Sequence, residues 1–292
     1  MSRALSFLRP TSVEEAVAML NEHGDEAKVV AGSTALTIML RNRLIDPSVL
    51  VSIGRLPGLN EITSENGHLR LGALATHRDV ERSPIAKERI PVLTHTFHRV
   101  ANVRVRNVAT VGGVVAEADY ASDPPAVFLA LDAEIEAQGP DGKRSIPASE
   151  FFLSFYTTAL AQNEIVTAVR VPVPQPGTRA VYEKFVTRSS EDRPCVGVAA
   201  SIRLDTHSGT TEDVRVAVGA ASETPQRFKD LEETAVGKEM TEDLARSIAE
   251  GYAERIDTLD DMRGSAWYRT EMVKVWVRRA LMHALADARA QA

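Results

Sequence analysis

Apolar residues near the start of the chain predict an amphipathic helix. They recur at the i, i+3, i+4, i+7 spacing of one helical face, at Val13, Ala16, Val17 and Leu20. Ser12 followed three residues later by Glu15 is typical of a capping box at the start of such a helix. Gly24 suits its end, because glycine readily adopts the conformation that follows a last helical turn.

Two short apolar runs on either side of a second helical segment predict parallel strands. Residues 28–31 and 49–53 are typical of buried strands, and residues 35–43 between them predict a helix. Two strands joined through a helix in so few residues are typical of a small parallel α/β unit.

The pattern changes between residues 60 and 175, where strand signals predominate. Asn66-Gly67 is a strong hairpin turn signal between the strand-like residues 61–63 and 68–71. A helix is predicted over 91–101 from its apolar spacing. Further strands are predicted at 133–137, 143–146 and 164–171.

The clearest break in the chain is a proline-rich stretch that ends at Gly177. It contains Pro172, Pro174 and Pro176, and such stretches are typical of domain boundaries. We therefore predict a first domain over 1–176, with subdomains of about 1–58 and 59–176, and a second over 177–292. The second domain has β-type runs at 180–187, 196–204 and 214–220. Helical faces follow them, at Leu244, Ile248 and Tyr252 and at Met272, Val275, Trp276 and Arg279.

Composition excludes several classes of protein. The chain has 34 Lys and Arg residues against 40 Asp and Glu residues, a net charge of −6, which argues against nucleic-acid binding. The single cysteine, Cys195, excludes an internal disulfide framework and any zinc-thiolate or iron–sulfur site built by this chain alone. No apolar run is long enough for a signal peptide or a membrane span, so we expect a cytoplasmic protein.

The first segment with candidate chemistry covers residues 29–36, where an apolar run ends at Gly32 and a helix is predicted to begin. Free N–H groups and the positive dipole end at a helix start favour a phosphate. Ser33 and Thr34 would add hydroxyl donors. The alternative interpretation is ordinary N-capping of that helix by Ser or Thr.

Two further segments have the same ambiguity. The pair Gly112-Gly113 after Thr110 can expose several N–H groups to an anion, or it can form a tight turn or bulge. Asp123 before Pro124 can accept hydrogen bonds from a ligand, or it can simply start a helix. The chain lacks GxGxxG and GxxxxGK[ST], so neither a Rossmann-type nor a Walker-type site is indicated.

The remaining candidates favour structural interpretations. His95 and His98 are three residues apart on a predicted helix but lack an evident third ligand, so a surface or packing role is favoured over a metal site. Cys195 has no assigned base partner and is interpreted as a packed thiol. A local basic cluster is interpreted as a solvated or partner-facing surface: Arg99, Arg104 and Arg106.

The order and spacing of these segments together resemble one family, the FAD-binding medium subunit of molybdenum hydroxylases. It includes the medium subunit of carbon monoxide dehydrogenase and the flavin domain of xanthine dehydrogenase. The resemblance covers nearly the whole chain and rests on residues 7–20, 30–34, 106–113, 121–123, 182–185, 261–269 and 278–281.

The resemblance implies an α+β fold and a flavin site. The implied FAD-binding domain is vanillyl-alcohol-oxidase-like, with two α/β subdomains, and a C-terminal domain follows with a three-stranded antiparallel sheet and a helical bundle. FAD would lie between the subdomains with its pyrophosphate on two glycine-containing loops. The implied FAD-binding residues are Val29, Val30, Ala31, Gly32, Ser33, Thr34, Ala35, Leu36, Thr110, Gly112, Gly113, Val114 and Asp123, with Val166 and Lys184 near the flavin ring.

Lys184 could place a positive charge beside the reduced, anionic flavin and stabilise it. An exposed strand lysine is the alternative interpretation. No residue of this chain is implied to act as a catalytic acid or base or as a metal ligand.

Two positions depart from the family pattern. Ser33 replaces the second glycine of Ala-Gly-Gly, so it must adopt φ < 0 or accept a strain of about 1 kcal/mol. Val114 replaces the asparagine of Gly-Gly-Asn, which removes a side-chain donor and acceptor worth about 1 kcal/mol. FAD binding is still expected, because such losses are small against the affinity of a large dinucleotide. A flavin-poor structural subunit is the alternative.

The resemblance also implies partners and a role in electron transfer. Members of the family work with a large molybdopterin subunit, which hydroxylates the substrate, and a small subunit with two [2Fe–2S] clusters, which we expect in a dimer of heterotrimers. This chain would pass electrons from the clusters through FAD to an external acceptor. A stand-alone flavin oxidoreductase is disfavoured, because no acid–base constellation is evident. The C-terminal aromatics could anchor a partner or pack their own helices: Trp267, Tyr268 and Trp276.

Overall fold

The computed structural model describes residues 5–290. Its first part comprises β1 (Ser6–Leu8), α1 (Val13–His23), a 3-10 turn (Gly24–Glu26), β2 (Ala27–Val30), α2 (Leu36–Arg41) and β3 (Val49–Ser52). The strands pair in the order β1-β3-β2, and both pairings are parallel. The β2–β3 pairing is the parallel unit that the sequence predicts, whereas β1 was not predicted. Apolar residues of α1 pack on this sheet and form a small separate core.

The predicted start and end of α1 are both confirmed. The Ser12 hydroxyl accepts a hydrogen bond from the Glu15 amide at 3.1 Å, and Gly24 ends the helix with φ +52°. The Glu15 carboxylate, however, accepts from the amide of Thr11 at 2.6 Å. The second hydrogen bond of the capping box, in which the Glu15 carboxylate accepts from a backbone amide, is therefore made to Thr11 rather than to the N-cap residue Ser12.

A five-stranded antiparallel sheet forms the centre of the molecule. This part of the chain comprises β4 (Ile62–Glu65), β5 (His68–Gly72), α3 (His77–Arg82), α4 (Pro84–Arg89), α5 (Pro91–His98), α6 (Val103–Arg106), α7 (Val111–Glu117), α8 (Pro124–Ala130), β6 (Glu134–Gly139), β7 (Gly142–Pro147), α9 (Ala148–Phe151), β8 (Phe152–Ser154), β9 (Thr157–Thr158) and β10 (Ile165–Pro172). The sheet order is β4-β5-β10-β6-β7, with β8 and β9 as a separate hairpin. Asn66 and Gly67 both have positive φ, as a two-residue hairpin turn requires.

The C-terminal part consists of a three-stranded sheet covered by helices. Its elements are β11 (Arg179–Phe185), β12 (Val196–Leu204), β13 (Thr211–Gly219), α10 (Lys229–Glu233), α11 (Glu242–Arg255) and α12 (Ala266–Arg289). The strands pair antiparallel in the order β11-β12-β13, which confirms the predicted α+β fold class. The largest core is continuous between the two sheets, because residues of β11–β13 join it: Tyr182, Ala199 and Ala217.

The apolar spacing groups Met272, Val275, Trp276 and Arg279 on one face of α12, but this is not the face that the helix buries. The buried residues of that helix include Val273, Val277, Ala280, Leu281 and Ala284, whereas Trp276 is only half-buried and stacks on Phe185 with ring centroids 5.4 Å apart. The inner face therefore lies one residue further along the helix. Several faces of a 24-residue helix contact neighbouring elements, so its apolar spacing alone does not select one of them.

Candidate functional site

The loop between β2 and α2 presents a run of free backbone donors. The six amides from Ala31 to Leu36 have no hydrogen-bond acceptor within residues 5–290. Ser33, in the middle of the run, has φ +61°, in the left-handed region. A left-handed residue among right-handed ones turns successive N–H groups toward one side and makes a concave anion site. This loop can therefore hold a phosphate group.

Gly32 joins this loop to a second one. A Cβ atom at Gly32 would lie 1.8 Å from the carbonyl oxygen of Val108, so any larger residue would push the two loops apart. Val108 is two residues before Thr110, at the start of α7. The two segments that the sequence singled out are therefore in direct contact, although about 75 residues separate them in the sequence.

The second loop differs from its predicted form. Gly112 and Gly113 lie in the first turn of α7, whose N-cap is Thr110. The amide of Gly112 donates to the carbonyl of Ala73 at 2.8 Å, and the amide of Gly113 donates to the Thr110 hydroxyl at 3.1 Å. These two N–H groups are therefore not free to bind an anion, because the fold already uses them.

Gly112 serves the close packing of α7. A Cβ atom at Gly112 would lie 2.7 Å from the Cβ atom of Ala73, so α7 approaches the end of β5 closely. Val114 is buried in the main core, so its side chain belongs to that packing rather than to a ligand surface. Gly113 and Ala116 are exposed on the outer side of the same helix.

Asp123 and Lys184 form a buried ion pair. Lys184 Nζ lies 3.0 Å from Asp123 Oδ2, and the two side chains are 2% and 4% exposed. Tyr182 donates its hydroxyl to the other carboxylate oxygen at 2.8 Å. Burial raises the pKa of Asp123 and of Tyr182, while the Lys184 charge opposes the rise at Asp123. Asp123 precedes α8 but makes no capping hydrogen bond, so helix initiation is not the role of its side chain.

A cavity of about 440 Å³ opens beside this ion pair. Its lining comes from the α5–α6 turn and from the segment after β11, at His98, Arg99, Ala101, Asn102, Val103, Arg106, Lys184, Val186, Ser190 and Glu191. Lys184 Nζ also donates to the carbonyl oxygen of Arg99 at 2.9 Å. Because an ammonium has three N–H groups, one donor remains on a side chain that lines the cavity.

Two of the three arginines expected on a solvated surface are structural instead. Arg99 donates to the carbonyl oxygens of Tyr182 and Lys184 at 3.1 and 3.2 Å. Arg106 is only 8% exposed and donates to Glu81 Oε2 at 2.9 Å. Only Arg104 of that cluster is exposed. Arg99 and Arg106 therefore hold the cavity wall in place through hydrogen bonds made inside the protein.

Glu81 is the hub of this wall. It accepts hydrogen bonds from Arg78 and Arg106, and its other contact is with His98 Nδ1 at 2.8 Å. Partial burial would raise the pKa of Glu81, but these three partners outweigh it and lower that pKa to about 2. Arg106 additionally donates to the carbonyls of Val100 and Ala101 at 2.9 and 3.0 Å. Ala101 has φ +42°, so these bonds hold a strained turn in place.

Some predicted site residues lie elsewhere. Val166 is buried in the main core at a bulge of β10 and does not line the cavity. Cys195 is buried beside Gly264, as expected of a packed thiol, and burial raises its pKa. Tyr268 and Trp276 pack against Phe185, whereas Trp267 is 72% exposed.

His95 is not part of a group of metal-ligating side chains among the described residues. Within residues 5–290, no three or more His, Cys, Asp or Glu side chains are grouped so that they could hold a metal ion. No helix in the same range is long and apolar enough to cross a membrane.

Glu81, Tyr182 and Arg269 were not predicted as functional residues from the sequence. Tyr182 had a usable signal, because residues two apart on a strand share a face and Lys184 was already a candidate. Arg269 is fully buried and pairs with Asp261 at 2.7 Å. A charged residue in the first turns of a helix gives no local sign that it is buried, so Arg269 could not be found this way.

These residues fit a dinucleotide with a pyrophosphate. The free amides at residues 31–36 suit the negative charge of the pyrophosphate. The close contact at Gly32 keeps this loop beside the segment that leads into α7. The cavity beside Lys184 suits a planar ring with electronegative edges, because its wall carries a buried cation with a remaining donor.

Comparisons with known proteins agree with this geometry. Residues 3–174 match the family described as FAD binding domain in molybdopterin dehydrogenase, and residues 180–284 match the CO dehydrogenase flavoprotein C-terminal domain. The chain is 35% identical to the glyceraldehyde dehydrogenase medium chain of Sulfolobus acidocaldarius, over 94% of this chain and 96% of that one. It is 34% identical to the carbon monoxide dehydrogenase medium chain of Hydrogenophaga pseudoflava, over 93% and 94% of the two chains.

The fold also matches a solved structure. A carbon monoxide dehydrogenase from Hydrogenophaga pseudoflava that lacks the Mo-pyranopterin moiety of its cofactor superposes with a TM-score of 0.94 and 34% identity, over 98% of this chain and 99% of that one. Taken with the loops and the cavity, these matches show that the chain belongs to the FAD-binding medium-subunit family of molybdopterin dehydrogenases and is an oxidoreductase subunit of the xanthine and carbon monoxide dehydrogenase type.

Proposed function

We propose that this chain binds FAD and passes electrons from [2Fe–2S] clusters on a partner subunit to an external acceptor. The observation that carries the proposal is the run of six unbonded amides at residues 31–36, placed against the loop that leads into α7. FAD, when bound, supplies both one-electron and two-electron redox chemistry. The chain therefore needs no acid–base group acting on a substrate.

Each part of the site has a distinct task in this proposal. The first loop and Thr110 would bind the pyrophosphate, through backbone amides that lack other acceptors. Lys184, held by Asp123 and by the Arg99 carbonyl, would direct its remaining donor toward the ring. The buried charge favours an anionic reduced ring over a neutral oxidised one.

The FAD-binding residues predicted from the resemblance are all part of this proposal, but their roles differ. Backbone contact is proposed for Val29, Val30, Ala31, Gly32, Ser33, Thr34, Ala35, Leu36 and Thr110. Gly112 and Val114 would support the site by packing α7 against the rest of the fold, and Gly113 by the bond of its amide to the Thr110 hydroxyl. Asp123 would act by positioning Lys184, and Val166 by packing in the main core.

The partners are proposed from the same family. Several relatives are named medium chains or complex subunits, such as subunit alpha of the 6-hydroxypseudooxynicotine dehydrogenase complex. We propose a large molybdopterin subunit and a small [2Fe–2S] subunit, in a dimer of heterotrimers in the cytoplasm. The division at residues 176 and 177 remains a prediction.

An absorbance spectrum of the purified full chain, taken before and after incubation with FAD and desalting, tests the proposal. Flavin bands near one FAD per chain are expected. Absence of flavin from both the isolated chain and the complex co-expressed with its partner subunits would favour the second candidate, a flavin-poor structural subunit. That candidate rests on Ser33 and Val114, which stand where the family pattern has glycine and asparagine.

A further inference from the structure

Glu117 lies between the two ends of the proposed FAD site. It is the last residue of α7, the helix that begins at Thr110 beside the phosphate loop. Residues 118–122 then lead to Asp123, which holds Lys184 at the ring end of the site. We therefore expect a dinucleotide that extends from the phosphate loop to the cavity to pass along α7.

The side of α7 that carries Glu117 is open. Gly113 and Ala116 are exposed and Glu117 is half-buried, and their spacing of three and four residues places them on one side of the helix. Neither Gly113 nor Ala116 has side-chain atoms beyond Cβ, so an extended ligand can approach the helix closely there. Of these three residues, only Glu117 has a side chain that can make directional polar contacts.

The carboxyl group of Glu117 has no partner of its own. Within residues 5–290 it makes neither a hydrogen bond nor a salt bridge. It is faced by Asp119 in the following loop and by Arg193 after β11, and these two pair with each other at 2.6 Å. Tyr156, in the turn between β8 and β9, also faces it and donates its amide to the carbonyl of Ala118. Such a group lacks hydrogen bonds that a ligand can supply.

The surroundings of Glu117 favour its uncharged form. Burial, and then the charge of Asp119, raise the pKa of Glu117 to about 7, while Arg193 opposes the rise. The pyrophosphate of FAD would bring more negative charge and displace water, and both effects raise the pKa of a carboxyl group further. A protonated carboxyl has an O–H donor as well as an acceptor. The ribityl chain, which joins the pyrophosphate of FAD to its ring, has hydroxyl groups that match both.

We infer that the protonated side chain of Glu117 hydrogen-bonds the ribityl hydroxyls of FAD, so that FAD affinity falls when Glu117 loses its proton. The inference rests on the proposed function. It adds a side-chain contact to a site whose other contacts to the phosphates are made by the backbone, and it makes occupancy of that site depend on pH.

The dissociation constant of FAD for the full chain, followed by flavin fluorescence at pH 6, 7 and 8, tests this inference. For the wild type it is expected to rise about tenfold from pH 6 to pH 8, because a group whose pKa is about 7 in the free chain has to regain its proton on binding. Glu117→Gln keeps a donor and an acceptor but cannot become charged. It should bind FAD as the wild type does at pH 6 and about tenfold more tightly than the wild type at pH 8.

A second variant separates the hydrogen bond from the charge. Glu117→Ala removes both, so it should bind FAD about fivefold more weakly than Glu117→Gln at every pH. Glu150→Gln, at an exposed glutamate of α9, is the matched control and should follow the wild type. Other titratable groups near the site are common to all these proteins, so the ratio of two dissociation constants isolates the effect of Glu117.

Proton uptake provides an independent readout. Calorimetric titration with FAD at pH 7, in buffers of different ionisation enthalpy, counts the protons that binding takes up. The wild type should take up about half a proton more per FAD than Glu117→Gln. Equal proton uptake by the two, or a ratio of their dissociation constants that stays constant from pH 6 to pH 8, would overturn the inference.

Equal FAD affinity of Glu117→Ala and Glu117→Gln would overturn it as well, because the charge alone would then account for the dependence on pH. Failure of the proposed function is distinguishable from these results. In that case the wild type binds no FAD at any of the three pH values, either as the isolated chain or in the co-expressed complex.

Discussion

Lys184 reaches across from β11 to Asp123 at the start of α8, and the two charges meet 3.0 Å apart in an almost fully buried position. The two residues belong to the different domains that the proline-rich stretch predicted. Tyr182, two residues before Lys184, bonds the second oxygen of the same carboxylate. The ion pair therefore ties the start of α8 to the C-terminal sheet and fixes the cation that the proposed flavin site uses.

Removing only one member of this pair should be costly. Lys184→Met is expected to lower the free energy of unfolding by about 3 kcal/mol, because Asp123 would be left as an uncompensated buried charge. Asp123→Asn combined with Lys184→Met should recover a large part of that loss. Urea unfolding measures both, and Lys87→Met, at an exposed lysine, serves as the control. A single variant as stable as the wild type would contradict the buried pairing.

The carboxylate of Glu81 predicts a specific acid sensitivity. Its pKa is lowered from 4.5 to about 2 in the folded chain, so its partners stabilise the charged form. The resulting stabilisation is fully present above pH 4.5 and is lost as the pH falls through 2. Glu81→Gln should therefore cost about 2 kcal/mol at neutral pH, and the difference from the wild type should shrink at pH 3.

Calorimetry at pH 7, 4 and 3 measures that convergence. Glu65→Gln, at an exposed glutamate of β4, is a suitable control. A difference that stays constant over this range would indicate that Glu81 acts through packing alone.

The sequence predicted the elements that local patterns define. The helix α1 with its Ser12 cap, the Asn66-Gly67 hairpin and the three strands of the C-terminal sheet all follow from spacing and turn residues that are neighbours in the chain. These signals are reliable because the physical interactions behind them are made within a few residues.

The second loop could not be predicted in the same way. Gly112 is next to Gly113, which suggested an exposed turn, but the contact that decides its role is with Ala73, 39 residues earlier in the sequence. Likewise, Arg106 was assigned to the surface because its partner Glu81 is distant in sequence. Burial and pairing of polar groups depend on tertiary contacts, which a single sequence does not display.

Ser33 should be strained in the phosphate loop. Its φ of +61° is one that a residue with a Cβ atom adopts at a cost of about 1 kcal/mol. Ser33→Gly should therefore be more stable than Ser33→Ala by about 1 kcal/mol, and both should retain the fold. Thermal unfolding of the two variants makes the comparison.

The same pair bears on cofactor affinity. If the left-handed turn is what points the amides at the phosphate, Ser33→Gly should bind FAD at least as tightly as the wild type. Equal stability of Ser33→Gly and Ser33→Ala would contradict the strain argument. Much weaker FAD binding by Ser33→Gly would instead show that the serine hydroxyl is an essential donor.

Glu117, the last residue of α7, should destabilise the fold at alkaline pH. Burial, and then the charge of Asp119, raise the pKa of Glu117 to about 7, while Arg193 opposes the rise. Because the folded-state pKa exceeds the unfolded value of 4.5, the contribution is favourable below pH 4.5 and is lost as the pH rises through 7.

Glu117→Gln removes this penalty. We expect it to raise the melting temperature by about 3 °C at pH 8 and to leave it nearly unchanged at pH 4. Glu22→Gln, at an exposed glutamate of α1, should change neither value. An equal rise at both pH values would mean that the gain comes from packing or helix propensity, and the buried charge would then carry no penalty.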